Sequence, residues 1–192
     1  VFFNFRGDRS IEISKTFEDV AFDKFDRVRF PKTVFAGMLE YDGDLHIPSR
    51  YLVSPPEITD TLGEKLAAEK ITQLALSETQ KYGHVTYFWN GNKSGKFSEE
   101  LEEYVEIPSD NVSFDQRPWM KSAEIVDAII ETIKSGKYDF IRCNFPNGDM
   151  VGHTGVMDAV VYAMECVDGG LKAILEAADK YGYTVLITAD HG

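Results

Sequence analysis

The sequence predicts an α/β fold built on a largely parallel sheet with helices on both faces. Three observations carry that expectation. Short apolar runs of strand length alternate with helical patterns through most of the chain, as repeated strand–helix–strand units require. Residues 121–134 put Ile125, Ile129, Ile130 and Ile133 on one face of a helix, and Gly136 closes it. Residues 157–181 do the same over a longer span with Val160, Val161, Met164, Val167, Leu171, Ile174 and Leu175, and Gly182 ends it.

The remaining elements follow in chain order. Residues 1–5 read as a short buried strand, with Arg6-Gly7-Asp8-Arg9 at its C-terminal end. Residues 17–31 mix aromatic and charged side chains without a clean period, which suits helix and loop together. Residues 33–39 form a second strand pattern, and residues 41–50 a loop with turn chemistry at Asp42-Gly43-Asp44. Ser54-Pro55-Pro56-Glu57 reads as a linker, because consecutive prolines favour extended backbone and disfavour helix before them. A domain boundary is expected there, followed by a helix capped by Thr59 or Asp60 and carrying Leu62, Leu66 and Ala67. Strands are then expected over 70–76, 84–89, 138–144 and 183–188, with a short helix over 77–82 and a polar loop over 90–96.

Composition excludes several classes of function. The chain has 32 acidic against 20 basic residues, a formal charge of −12, which argues against nucleic-acid or anionic-membrane binding because phosphate backbones reward clustered Lys and Arg. A small anion is not excluded, since it needs only a few well-placed cations. No apolar run approaches the roughly 20 residues that span a bilayer. Cys143 and Cys166 do not make a disulfide framework and suggest a reducing compartment, with both thiols packed in the core. The start on Val1 and the end on Ala189-Asp190-His191-Gly192 suggest a piece of something longer.

Four constellations could carry chemistry. Asp149 and His153, four apart after the 138–144 strand, can converge on one cation, the carboxylate giving a hard oxygen and the imidazole a neutral nitrogen, a mix suited to Mn²⁺ or Zn²⁺. Asp190-His191 follows the 183–188 strand, and ligands of open parallel sheets sit outside the strands' carboxyl ends. Together these four residues match the needs of a two-metal phosphoryl-transfer centre. Each pair alone reads more readily as a polar loop, with Asp149 capping the next helix. Arg6 and Arg9, three apart, suit bidentate binding of phosphate or carboxylate, although spacing alone favours a surface salt-bridge cluster. Lys81 has little to mark it on its own, His84 and His46 read as structural, and Trp89 and Trp119 read as packing residues. The segment Asp115-Gln116-Arg117-Pro118-Trp119-Met120 is distinctive without an evident chemistry.

Four segments together resemble the cofactor-independent phosphoglycerate mutases. They are Phe2-Phe3-Asn4-Phe5-Arg6-Gly7-Asp8-Arg9, the run from Lys81-Tyr82-Gly83-His84 to Trp89-Asn90-Gly91, the run Asn144-Phe145-Pro146-Asn147-Gly148-Asp149-Met150-Val151-Gly152-His153-Thr154-Gly155, and Thr188-Ala189-Asp190-His191-Gly192. They occur in that family's order and nearly span the chain. The Asp-Met-Val-Gly-His-Thr-Gly run is specific, whereas Thr-Ala-Asp-His-Gly is shared with other alkaline-phosphatase-like enzymes. The loop Asn90-Gly91-Asn92-Lys93-Ser94-Gly95 is similar to the plant and trypanosomatid branch.

The resemblance implies an alkaline-phosphatase-like three-layer sandwich, present in part over residues 58–192. Before it would come the C-terminal part of an α/β phosphotransferase domain over 1–53 and a hinge over 54–57. It implies interconversion of 3-phosphoglycerate and 2-phosphoglycerate through a phosphoserine, without 2,3-bisphosphoglycerate. Two divalent ions are implied, Mn²⁺ first, with Co²⁺ or Mg²⁺ as alternatives. Asp149 and His153 would ligate one metal and Asp190 and His191 the other. Arg6 and Arg9 would hold the substrate, and Lys81 would reach its phosphoryl group as the catalytic cation. A cytoplasmic monomer without nucleic-acid or membrane partners is implied. The family's nucleophilic serine, an aspartate ligand and a histidine ligand have no counterpart in these 192 residues, so the chain by itself is expected to be inactive. Another alkaline-phosphatase-superfamily phosphohydrolase or phosphomutase, or a non-catalytic metal-binding module, is the alternative.

Overall fold

The structure, a computed structural model, describes residues 1–43, 45–189 and 191, and divides the chain into two units, Val1–Glu57 and Ile58–Gly192. In the first unit, helix α1 (Asp8–Glu18) starts directly after Gly7. Its sequence conceals it, because the buried face carries Ser10 and Ser14 rather than apolar residues. Their hydroxyls donate back to the carbonyls of Arg6 and Ser10, so the small side chains are enclosed without unpaired polar atoms.

The strand expected over residues 1–5 is reduced to a single bridge between Phe2 and Gly37, with Phe3 and Phe5 exposed. Strand β1 (Gly37–Leu39) is shorter than its pattern and pairs in parallel with β2 (Tyr51–Val53), Gly37 opposite Tyr51 and Leu39 opposite Val53. Gly37 admits no side chain, since a Cβ there would lie 2.8 Å from the Leu39 carbonyl, the Pro48 ring and the Tyr41 ring. The Tyr41 hydroxyl accepts from Met38 N–H at 3.1 Å and donates to the Asn4 carbonyl at 2.5 Å, tying the first residues to β1.

In the second unit, helix α2 (Leu62–Ala68) is capped by Thr61, not by Thr59 or Asp60, with its hydroxyl accepting from Glu64 N–H at 3.4 Å. Strand β3 (Gln73–Glu78) follows, buried at all six positions. It runs into a turn of 3₁₀ helix (Thr79–Lys81) and then helix α3 (Tyr82–Val85). The strand expected over 84–89 is therefore overturned. Its aromatic and β-branched residues suit a strand, but the backbone closes turns instead: Phe88 N–H donates to Gly83 and Asn90 N–H to Thr86, at 2.9 and 3.0 Å. Strand β4 (Glu102–Ile107) has no clear apolar signature because three of its six residues are Glu.

Helix α4 (Ser122–Ser135), strand β5 (Phe140–Asn144), helix α5 (Asn147–Gly152) and helix α6 (Met157–Tyr181) complete the unit. The strand order is β4-β3-β5, all parallel, with Leu74 opposite Ile141 and Ser77 opposite Asn144. Gly136 and Gly182 close α4 and α6 in the left-handed region at φ 61° and 78°, a conformation glycine adopts without Cβ strain.

Leu74 and Leu76 of β3 pack with Ile125, Ile129 and Ile133 of α4 and Ile174 and Ala178 of α6. A second cluster joins Met120, Val151, Ala159 and Ala163. The expected strand over 183–188 has no ladder partner among the described residues. Tyr183 and Val185 still pack on the core at alternate positions, and the Tyr183 hydroxyl donates to the Tyr138 carbonyl at 2.7 Å. Cys143 is exposed rather than packed, although its register opposite Leu76 puts it on the same face of the sheet as Leu74 and Ile141; the apolar packing of α4 and α6 does not extend over it.

Two adjacent glycines of α6 make opposite predictions. A Cβ on Gly170 would meet the Val126 side chain at 2.7 Å, whereas one on Gly169 meets nothing within 4 Å. Gly170→Ala should wedge α4 and α6 apart and lower stability by about 1–3 kcal/mol. Gly169→Ala should raise it by about 0.5–1 kcal/mol through helix propensity and the unfolded chain's lost freedom. Urea unfolding midpoints of the two variants check both signs.

Candidate functional site

β3 and β5 are adjacent and parallel, so their carboxyl ends open on one edge of the sheet. The turn after β3 ends on Lys81, and the loop after β5 leads within two residues into α5, which carries Asp149 in its first turn. The two meet there. Lys81 Nζ lies 2.5 Å from Asp149 Oδ2, with the lysine side chain 9 % exposed and the aspartate 20 %. Lysine is rarely enclosed without an opposite charge, and here the carboxylate supplies it.

The other carboxylate oxygen faces two imidazoles. Asp149 Oδ1 is 3.2 Å from His153 Nε2 and 3.5 Å from His191 Nε2. Asp149 and His153 meet because residues four apart share a helix face, so the run that reads as a polar loop is a helical presentation of both. His191 arrives from the far end of the sequence. The Lys81 ammonium holds the Asp149 carboxyl below its ordinary value, by hydrogen bond first and then by charge, with weaker help from the two histidines and against the effect of burial.

Of the residues expected from sequence, Lys81, Asp149, His153 and His191 therefore converge. Asp190 lies outside the described residues. Arg6 and Arg9 belong to the first unit, where Arg9 lies in the first turn of α1 and pairs with Glu12 at 3.3 Å on an exposed surface. The donor kinds around Asp149, one carboxylate and two neutral-capable imidazoles, fit a borderline divalent cation. Among the described residues, no three His, Cys, Asp or Glu side chains already form a closed metal-holding group.

Three supporting residues escape the sequence reading. Glu78, the last residue of β3, is buried and accepts from Ser109 Oγ at 2.9 Å and Lys121 N–H at 3.1 Å. Burial pushes its carboxyl above the ordinary range, against the pull of those two donors. Asn147 is fully enclosed, and its amide donates to the Pro118 and Trp119 carbonyls at 3.0 Å each. Those bonds give the 115–120 segment a structural role, since it docks on the first residue of the helix that presents Asp149. Arg142 is the third, with its guanidinium enclosed in the sheet. A charged residue inside the otherwise apolar run Phe140-Ile141-Arg142-Cys143 is the signal that marks it.

An enclosed ammonium, a carboxylate and two imidazoles meet at the carboxyl edge of a parallel α/β sheet, where ligands of such sheets bind. Residues 11–192 match the Metalloenzyme superfamily, and the chain belongs to it. Its fold is the alkaline-phosphatase-like α/β arrangement. The chain is 60 % identical to the 2,3-bisphosphoglycerate-independent phosphoglycerate mutase of Trypanosoma brucei brucei over 99 % of its own length, which is 34 % of that protein. It is 55 % identical to 2,3-bisphosphoglycerate-independent phosphoglycerate mutase 1 of Arabidopsis thaliana over its full length, covering 35 % of that protein. A crystal structure of Leishmania mexicana phosphoglycerate mutase at low cobalt concentration superposes with a TM-score of 0.84 at 54 % identity, covering 93 % of this chain and 32 % of that one. The chain thus spans about a third of the length of the relatives it matches. No helix among the described residues is long and apolar enough to cross a membrane.

Asp149→Asn leaves the enclosed Lys81 ammonium without its counter-charge and should lower stability at neutral pH by up to about 3–5 kcal/mol. The folded-state carboxyl titrates below its ordinary 3.8, so the wild-type contribution is complete above that value and lost as pH falls through the folded-state value. The difference between wild type and variant should shrink over that acid window. Urea titrations at a series of pH values check this.

Proposed function

We propose that this chain supplies the end of the phosphotransferase domain, the hinge and part of the metal-binding domain of a 2,3-bisphosphoglycerate-independent phosphoglycerate mutase. Residues 1–53 are the end of the substrate-gripping phosphotransferase domain, 54–57 the hinge, and 58–192 part of the phosphatase-like domain. The observation that carries this reading is the convergence of Lys81, His153 and His191, from three distant segments, on the Asp149 carboxylate. The reaction is transfer of a phosphoryl group between the 3- and 2-oxygens of glycerate by way of a serine of the complete protein. The compartment is the cytoplasm and the enzyme a monomer.

Each residue contributes differently in this scheme. Asp149 and His153 would hold one divalent ion, and Asp190 and His191 would contribute to the second, with Mn²⁺ the preferred ion and Co²⁺ or Mg²⁺ as alternatives. When bound, the two cations supply charge stabilisation for the attacking and leaving oxygens of the phosphoryl group. Lys81 donates hydrogen bonds from its ammonium to the phosphoryl oxygens, where negative charge is spread during transfer. Its low exposure keeps that charge poorly screened by water, which strengthens the interaction. Arg6 and Arg9 present guanidinium forks that match the phosphate or carboxylate of the substrate and orient it. The acidic surplus of the chain does not oppose binding of an anion gripped by these cations.

In the complete protein, Arg6→Ala should lower kcat/KM roughly 10- to 100-fold, the size of losing a hydrogen bond to a charged group, while bound Mn²⁺ is unchanged. His191→Ala should do the reverse and weaken Mn²⁺ binding by at least about 10-fold. Isothermal titration with Mn²⁺ alongside a coupled mutase assay separates the two. Equal loss of metal in both variants rejects the division of labour. The 192-residue chain alone should show no interconversion above background in the same assay.

A further inference from the structure

Arg142 is 6 % exposed and sits on the middle of β5, the strand that delivers α5 and Asp149. Its Nε donates to the carbonyl of Val85 at 2.8 Å, and one terminal nitrogen donates to Gln73 Oε1 at 3.1 Å. Gln73 in turn donates to the Gly63 carbonyl at 3.2 Å, so the contact is braced from α2. The guanidinium also lies 5.3 Å from the Trp89 ring centre and 5.5 Å from that of Tyr104, packed between the two.

An ion pair with Glu102 accompanies this burial but is long and not hydrogen-bonded. The nearest carboxylate oxygen, on Glu102, is 3.8 Å from the remaining terminal nitrogen, which is enclosed without a hydrogen-bond partner. Glu102 is engaged elsewhere, accepting from Phe97 N–H at 2.7 Å, Ser98 N–H at 3.0 Å and the Tyr104 hydroxyl at 2.8 Å. The best-made bond of the arginine is the one to the backbone of α3. That helix is only Tyr82–Val85, too short to hold its own shape, because a single turn does not recover the cost of nucleation. Its first flanking residue is Lys81 and its last is Val85.

We propose that Arg142 is a positioning residue, which holds the C-terminal end of α3 against β5 and so keeps Lys81 in register with Asp149 on the element that β5 delivers. One side chain spans the two segments that meet in the site: the strand leading to the carboxylate and the helix started by the ammonium. The positional claim stands on the contacts alone, and its catalytic consequence rests on the function proposed above.

The test is competitive acylation of lysines at one pH, read by peptide mass spectrometry, in the wild type, Arg142→Met and Arg142→Lys. Lys121 is the internal reference, being 15 % exposed and paired with Asp110 at 3.0 Å, away from Arg142's contacts. Arg142→Met should raise the labelling of Lys81 relative to Lys121 by about fivefold or more, as local opening of α3 would. Arg142→Lys, which keeps charge and most of the volume but cannot span Val85 and Gln73 together, should give a smaller rise. An unchanged ratio in a folded variant overturns the proposal, and so does an equal rise at both lysines, which is general loosening. If Arg142→Met does not fold, the Arg142→Lys ratio decides alone.

In the complete protein, a displaced Lys81 should lower kcat about 10- to 100-fold with KM little changed, the usual effect of misplacing a reacting group. A labelling rise with kcat unchanged leaves the positioning intact and rejects the phosphoryl role of Lys81. A fall in kcat with unchanged labelling overturns the positioning and leaves that role standing.

Discussion

Strand β3 is the constraint on which the second unit depends. All six of its residues are buried, and it pairs in parallel with a strand on each side. Parallel pairing makes the exits of β3 and β5 neighbours, which brings Lys81 and Asp149 within reach although 68 positions separate them in sequence. An antiparallel partner would have put the two exits at opposite ends of the sheet. The two faces of β3 then divide the labour. Leu74 and Leu76 face the apolar layer of α4 and α6, while Gln73 on the alternate positions faces the polar group around Arg142.

Buried charge is distributed differently: Glu102 and Arg142 share the Gln73 face by register, whereas Glu78 alternates with Leu74 and Leu76 and closes the apolar face at the strand's exit. A buried charged group is costly unless it is hydrogen-bonded or paired, and the directional bonds that offset the cost restrict the arrangement of its neighbours. Glu78, Lys81, Glu102 and Arg142 are all enclosed, and each engages a different segment: the 109–121 stretch, α5, the 97–98 turn and α3. The apolar contacts supply most of the driving force for folding, and the buried charges determine which loops stand beside one another.

The same split sets what the sequence reveals. The bounds of α6 and both glycine caps follow from the periodicity of apolar residues, because those elements bury an apolar stripe and nothing else. α1 escapes notice because serines line its enclosed face, and β4 because Glu102, Glu103 and Glu106 interrupt its apolar residues. Residues 84–89 mislead in the opposite direction: aromatic and β-branched side chains promise a strand, but the segment turns after four helical residues. Local propensity is a weak prior there, and the enclosed guanidinium gripping the Val85 carbonyl is a tertiary contact with no local signature. Asp149, His153 and His191 are visible as residue types that bind cations. Lys81 is not, because its burial comes from the carboxylate brought to it by sheet topology.

Asp149 thereby acquires two roles that pull in different directions. One oxygen neutralises the Lys81 ammonium and the other faces the two imidazoles. A carboxylate shared in this way lets the lysine be enclosed, and under the function proposed above an incoming anion would compete with Asp149 for an ammonium already largely desolvated. Preorganised charge of this kind stabilises a developing anion without further rearrangement at the moment of reaction. The arrangement is useful only if the ammonium stays where the anion arrives. The rigidity of the short helix behind Lys81 is thus as much a part of the site's electrostatics as the charges themselves.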